Sequence, residues 1–284
     1  DGVVDIMEPL SEECDSDDLE ACDPETCQAR ILDVHISEHN ICINKANDTT
    51  WCWGDSRFGQ TGNGPGQGRM VQVLTQGNRP FRTVTMARST HCGLTTAADD
   101  TPGTPMCWAG NASGMLGRNH SAEGFSDPIA GPLYEEVGNE PAPTIPVAAV
   151  DGFADTMCLI DDHGAVYCWG ASSQSRLGTD RDLMRWAKPY LMTTQFPVDP
   201  DHEAVDLSAG NLHHCFVQGD GTTYCWGNPS LGRLGTAPNS DSDTPQPVIG
   251  LDNVIIVDVE AGHEHTCARS SEGAVYCWGN NNFQ

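Results

Sequence analysis

One unit recurs five times along this chain, and it restricts the fold class more than any other feature. The copies read ICINKANDTTWCWGD, HCGLTTAADDTPGTPMCWAG, MCLIDDHGAVYCWGA, HCFVQGDGTTYCWGN and HTCARSSEGAVYCWGN. Their second cysteines are Cys52, Cys107, Cys168, Cys225 and Cys277, at steps of 55, 61, 57 and 52 residues. A repeat of this length signals a solenoid, a propeller or another array of supersecondary units.

Each copy has the form of a stapled hairpin. In the last one, Ser271-Glu272-Gly273 makes a three-residue loop. Gly273 then falls at the third loop position, where a type I turn with a bulge requires positive φ. Counting back from the loop places Cys267 opposite Cys277. Opposed residues of antiparallel strands lie about 4.5–5.5 Å apart at Cα, within the range a disulfide spans. The same count places Cys158 opposite Cys168, Cys215 opposite Cys225, and Cys42 opposite Cys52, with Asp48 at the third loop position of that first copy. The second copy has a longer loop, and Cys92 can still face Cys107. Five hairpin disulfides are therefore predicted, each worth roughly 2–3 kcal/mol in the chain-entropy picture. Zinc sites use short Cys knuckles brought together in fours, and a catalytic thiol stands alone beside a base. One pair per repeat, with the partners ten or more residues apart, fits neither. Disulfides place the protein in an oxidising, extracytosolic compartment.

The rest of each unit supplies more strands. β-rich runs such as FRTVTMARSTHC and NVIIVDVEAGHEHTC precede the first cysteine, and glycine-punctuated stretches such as FGQTG, GMLG, SRLG and GRLG follow the Trp. Three or four short strands per unit make an all-β fold, a β-propeller of about four to five blades; a strand-and-turn solenoid is the alternative. The expected units are residues 31–81, 82–144, 145–203, 204–253 and an incomplete 254–284. Trp53, Trp108, Trp169, Trp226 and Trp278 are expected in blade packing. His263, His265, His213 and His214 recur around a ring instead of converging, so they are read as structural and not as metal ligands.

At this point the residues resemble a known family. AGHEHTCARSSEGAVYCWGNNN, with GRLG after the equivalent stretch in another copy, is similar to the repeat of the regulator of chromosome condensation family over residues 31–284. The resemblance implies seven-bladed rings. It also places His265 and His213 at the family's histidine position, where Thr90, Thr156 and Asn40 stand in the other copies. Cysteines at two hairpin positions resemble secreted bacterial members. Seven such blades would need roughly 390 residues, so the chain is expected to be cut from a longer protein or to share a ring with another chain. Residues 1–30 have a different grammar, acidic and carrying Cys14, Cys22 and Cys27. They resemble a cysteine-rich repeat of bacterial surface proteins. The total of 13 cysteines is odd, which leaves one of these three free or bound elsewhere. Calcium in this acidic segment is the sole cofactor considered, although no EF-hand spacing is present.

Charge narrows the partners. Fourteen Lys and Arg face 40 Asp and Glu, a net charge of −26. Phosphate backbones need clustered basic residues, so nucleic acid is excluded, and the nucleotide-exchange and chromatin roles of the founding family member are not carried over. No apolar run is long enough to insert in a membrane. Asn47, Asn111 and Asn119 sit in glycosylation sequons. No Gly-x-Ser-x-Gly, P-loop or His-Glu-x-x-His motif occurs in a fitting context, and Asp161-Asp162 and Glu135-Glu136 are placed in turns. The expectation is a secreted or cell-surface, non-catalytic propeller that binds protein, as relatives of the β-lactamase inhibitor protein II type do. Its anchors are placed in two long insertions: Phe125, Leu133 and Tyr134, and Trp186, Tyr190 and Phe196. A structural subunit of an extracellular filament, with self-association, is the alternative. A propeller lyase or hydrolase comes third.

Overall fold

A three-residue hairpin loop closes in one register, and four of the five repeats in the computed structural model close that way. The structure describes residues 30–62, 70–73, 80–95, 103–111, 113–117, 131–132, 147–171, 177, 185–192, 202–236 and 242–282. The closing backbone bonds run from Lys45 N–H to Thr49 O, Asp161 to Ala165, Gln218 to Thr222 and Ser270 to Ala274, at 2.8–3.0 Å. The third loop residue takes positive φ in each: +60° at Asp48, +71° at Gly164, +87° at Gly221 and +84° at Gly273.

These hairpins sit inside five antiparallel sheets, each running in sequence order. The first holds β1 (Ile31–Ile36), β2 (Asn40–Lys45), β3 (Thr50–Gly54) and β4 (Val71–Gln72). The second holds β5 (Phe81–Met86), β6 (Thr90–Thr95), β7 (Pro105–Ala109) and β8 (Gly131–Pro132), so it starts one residue ahead of the boundary expected at 82. The third holds β9 (Val147–Phe153), β10 (Thr156–Asp161), β11 (Val166–Ala171) and β12 (Arg185–Leu191). The fourth holds β13 (Ala204–Ala209), β14 (His213–Gln218), β15 (Thr223–Gly227) and β16 (Ser242–Pro247). The fifth holds β17 (Ile256–Ala261), β18 (His265–Ser270) and β19 (Val275–Gly279). The second and third strands of each sheet carry one disulfide: Cys42–Cys52, Cys92–Cys107, Cys158–Cys168, Cys215–Cys225 and Cys267–Cys277, all with Cα atoms 4.1 Å apart. Those cysteines are directly paired residues of the ladder.

The sheets are the blades of a propeller, with their first strands innermost around a channel. Four apolar clusters fill the four spaces between successive blades. Each unites the disulfide of one blade with the Trp face of the next: Cys42 and Cys52 with Phe81, Val84 and Trp108; Cys92 and Cys107 with Met157 and Trp169; Cys158 and Cys168 with Phe216 and Trp226; Cys215 and Cys225 with Val259, Tyr276 and Trp278. A disulfide is apolar, so gathering it with large aromatics in one cluster removes area from water at about 25 cal/mol per Å².

The indole N–H must find an acceptor when buried, and the glycine-punctuated stretches FGQTG, GMLG and GRLG supply it. Trp108 Nε1 donates to Gln60 O at 3.0 Å, Trp169 Nε1 to Met115 O at 2.6 Å and Trp278 Nε1 to Arg233 O at 2.9 Å. Each acceptor belongs to the preceding blade. Thus the two motifs that bracket a repeat in sequence meet across a blade boundary in space.

Candidate functional site

Every blade turns from its first to its second strand at the same end of the channel, and one backbone frame holds all five turns. The residue after each Trp-Gly or Trp-Ala pair donates its N–H to the turn tip: Asp55 to His39 O, Gly110 to Ser89 O, Ala171 to Asp155 O, Asn228 to Leu212 O and Asn280 to Glu264 O, at 2.8–2.9 Å. That approach explains the glycine. Gly227 has φ +109°, and a Cβ built on it would lie 2.5 Å from Leu212 O. The second copy carries Ala109 at this position, also with positive φ.

On that constant frame the tip side chains differ from blade to blade. They are Glu38 and His39, Arg88 and Ser89, Asp155, Asn211 and Leu212, and His263 and Glu264. Neighbouring tips contact each other: Asn211 Nδ2 lies 3.0 Å from His263 Nε2, Phe153 meets the His263 ring edge-on at 6.5 Å, and Arg88 sits 3.7 Å from Asp155.

Below the mouth lies a cavity of about 400 Å³, lined by residues of all five first strands. Its wall holds a polar ring, one residue per blade, each paired with the first cysteine of its repeat: His35, Thr85, Asp151, Ser208 and Glu260. Three of these residues accept a backbone N–H from the next blade. Gly152 N–H donates to Thr85 Oγ1 at 3.0 Å, Ala209 N–H to Asp151 Oδ2 at 2.8 Å and Ala261 N–H to Ser208 Oγ at 3.0 Å. Asp206 adds a second tie, accepting Val259 N–H at 2.7 Å.

The wall is also acidic. Burial, with the nearby charges of Asp151, Asp206 and Asp258, raises the pKa of Glu260. Asp206 is likewise raised, first by burial, against the Val259 hydrogen bond that lowers it. Burial lowers His35, opposed by Asp33. Among the described residues no group of three His, Cys, Asp or Glu side chains converges as a metal site.

The sequence-predicted residues divide accordingly. The ten hairpin cysteines are placed as pairs. His213 and His214 are buried, His263 is at the mouth, and His265 is exposed on β18. His213 Nε2 meets Thr266 Oγ1 of the next blade at 2.8 Å, and Thr266 donates on to Arg233 O at 3.0 Å. Asp161 caps its own turn, accepting from the N–H groups of His163 and Ala165 at 2.9 and 2.8 Å. Asn111 is buried and accepts Leu116 N–H, whereas Asn47 is exposed. Tyr190, expected as a loop anchor, is instead a residue of β12 opposite Cys168 and packs on the core between the third and fourth blades. The run around it pairs with β11 because KPYL supplies the fourth strand of the blade. Trp186 lies on the same strand, opposite Gly170. Phe125, Leu133, Tyr134, Phe196, Cys14, Cys22, Cys27, Asn119 and Glu135-Glu136 lie outside the described residues, as does the acidic segment considered for calcium. The polar ring escaped the sequence reading, although its signal is there: each member stands seven residues before a first cysteine.

Comparison with known proteins agrees with this architecture. Residues 220–269 and 256–284 match the regulator of chromosome condensation (RCC1) repeat. Among curated relatives, the human E3 ubiquitin-protein ligase HERC2 is 25% identical over 82% of this chain but only 4% of its own length. The ultraviolet-B receptor UVR8 of Arabidopsis thaliana is 23% identical over 92% of this chain and 57% of its own. Yeast RCC1 (Prp20), solved bound to Kap60, superposes with a TM-score of 0.69 at 15% identity, covering 88% of this chain and 56% of that one. The chain therefore spans less than two thirds of the length of each.

Proposed function

From the premise that this propeller carries regulator of chromosome condensation repeats, we propose that it is a non-catalytic protein-binding scaffold of an oxidising, extracytosolic compartment, and that it engages its partner at the channel mouth. One observation carries the reading: five turns share a single backbone frame and differ only in their tips. A rigid frame with varied tips is how loops on a scaffold carry recognition. A yeast structural neighbour was solved in complex with another protein. Five disulfides favour the compartment, and among the described residues no helix is long and apolar enough to cross a membrane. Net charge of −26 favours a partner with a basic surface.

The test is site-specific photocrosslinking in the culture fluid or at the surface of the source cells. A photoreactive residue at Asn211, on the mouth, should capture one discrete partner. The same residue at Asp220, on the β14–β15 loop at the opposite face, should not, and Glu264→Lys should abolish the Asn211 crosslink. Equal capture from both faces refutes the assignment of the mouth.

A further inference from the structure

Two of the three Asn-x-Ser/Thr sequons fall on described residues, and the fold treats them in opposite ways. Asn111 opens the turn after β7 and is 6% exposed. Its Oδ1 accepts Leu116 N–H at 3.1 Å and its backbone carbonyl accepts Gly114 N–H at 3.0 Å. Leu116 and Met115, carried by that turn, are buried in the core between the second and third blades. A sugar on the Asn111 amide would have to displace this packing, because a protein interior leaves no void of that size.

Asn47 stands at the second position of the three-residue loop between β2 and β3 and is exposed. The same loop position holds His163, Asp220 and Glu272 in the third, fourth and fifth blades, and all three are exposed. Exposure there is thus a property of the hairpin, whatever the place of its blade in the array. The loop is also firmly held. Asp48 N–H donates to Lys45 O at 3.1 Å, and Ala46 N–H donates to Arg30 O at 2.8 Å.

Within this loop the sequon is already assembled. Thr49 Oγ1 donates to Asn47 Oδ1 at 2.7 Å and itself accepts Trp51 Nε1–H at 3.0 Å. The chain of two hydrogen bonds fixes the plane of the acceptor amide against the hydroxyl that the sequon requires. The half-buried Trp51 ring beside it offers an apolar surface to a first sugar.

We propose that Asn47 is an N-glycosylation site, and that Asn111 is a sequon the fold keeps unmodified. The proposal rests on the extracytosolic compartment inferred above. The donor is an oligosaccharide carried on a lipid pyrophosphate, and the catalyst is a transferase of the source cell. A bond forms between Asn47 Nδ2 and the anomeric carbon, and the bond from that carbon to the phosphate oxygen breaks. The lipid pyrophosphate leaves with the electron pair, one amide proton is released, and nothing is oxidised or reduced. The glycan stands on the hairpin-loop face, opposite the mouth, and leaves the mouth open.

The test is peptide mapping of the protein secreted by its source cells. Trypsin cuts after Lys45, Arg57, Arg88 and Arg118, so Asn47, Asn111 and Asn119 fall in three different peptides. The Asn47 peptide should carry a glycan that peptide N-glycosidase removes, and the Asn111 peptide should carry none. Asn47→Gln and Thr49→Ala should each lose that glycan, whereas Thr49→Ser should keep it. A parallel digest without reductant reads the five disulfides and hence the compartment. An unmodified Asn47 in protein with all five bridges formed overturns the proposal and leaves the compartment standing. Hairpin cysteines found as thiols, with Asn47 unmodified, overturn both. A glycan on Asn111 of the bridged protein overturns the claim that burial decides between the two sequons.

Discussion

Two buried histidines set the acid stability of this propeller. His91 and His213 are fully excluded from solvent, and burial pushes each from the ordinary value of 6.5 down to about 3, with Arg233 and His265 adding to the effect at His213. Both are neutral in the folded protein. The unfolded chain takes up a proton at each below about pH 6.5, whereas the folded one does so only near pH 3, so stability is lost as pH falls across that window. Between pH 7 and pH 4.5 the loss is about 2–3 kcal/mol per histidine, or about 5 kcal/mol for both. The raised carboxyls of Glu260 and Asp206 act oppositely, favouring the folded state as pH falls through their elevated values. Subtracting a variant that lacks only the histidines removes that background. Suitable substitutions exist in the chain itself: Met157 stands at the position of His91, and Thr90 and Thr156 at that of His213. Urea midpoints followed by tryptophan fluorescence should show the wild type losing about 5 kcal/mol more than His91→Met/His213→Thr on acidification, with each single variant recovering about half. Parallel pH curves for wild type and double variant would refute the reasoning.

Three further outcomes are expected. Under native conditions a mild thiol reductant should open Cys267–Cys277 first, because Cys277 alone of the ten paired cysteines is exposed; alkylation and mass spectrometry will read the order, and simultaneous opening of all five refutes it. Gly227→Ala should destabilise by about 1–2 kcal/mol, since positive φ costs an L-residue that much and its Cβ would press on Leu212 O. A matched Ala109→Gly change should be neutral or stabilising in the same denaturation assay. Trp169→Phe keeps an aromatic ring in the cluster that holds the Cys92–Cys107 bridge but strands the buried Met115 carbonyl, costing about 1–3 kcal/mol by urea titration; a loss under about 0.5 kcal/mol would show that the carbonyl finds another donor.

The hairpins were legible because they are local. Loop length, a residue tolerant of positive φ, and period-two alternation decide which side chains oppose each other, and all three lie within a dozen residues. Cys215 and Cys225 can therefore be paired on paper. The same holds for the period, which fixes repeated blades. Tyr190 was misplaced for the opposite reason. Nothing local in RWAKPYL says that it crosses the gap after β11 to complete the third blade, and only packing on the core between the third and fourth blades holds it there.

The sequence by itself thus determined the all-β class, the blade unit and the disulfide register, because each rests on contacts within one repeat. What joins blade to blade waited for the tertiary structure. The indole of Trp169 reaches Met115 across 54 residues, Asp151 reaches Ala209 across 58, and the mouth assembles tips from five separate turns. Those contacts depend on how twisted sheets stack, a relation between units that no single repeat encodes.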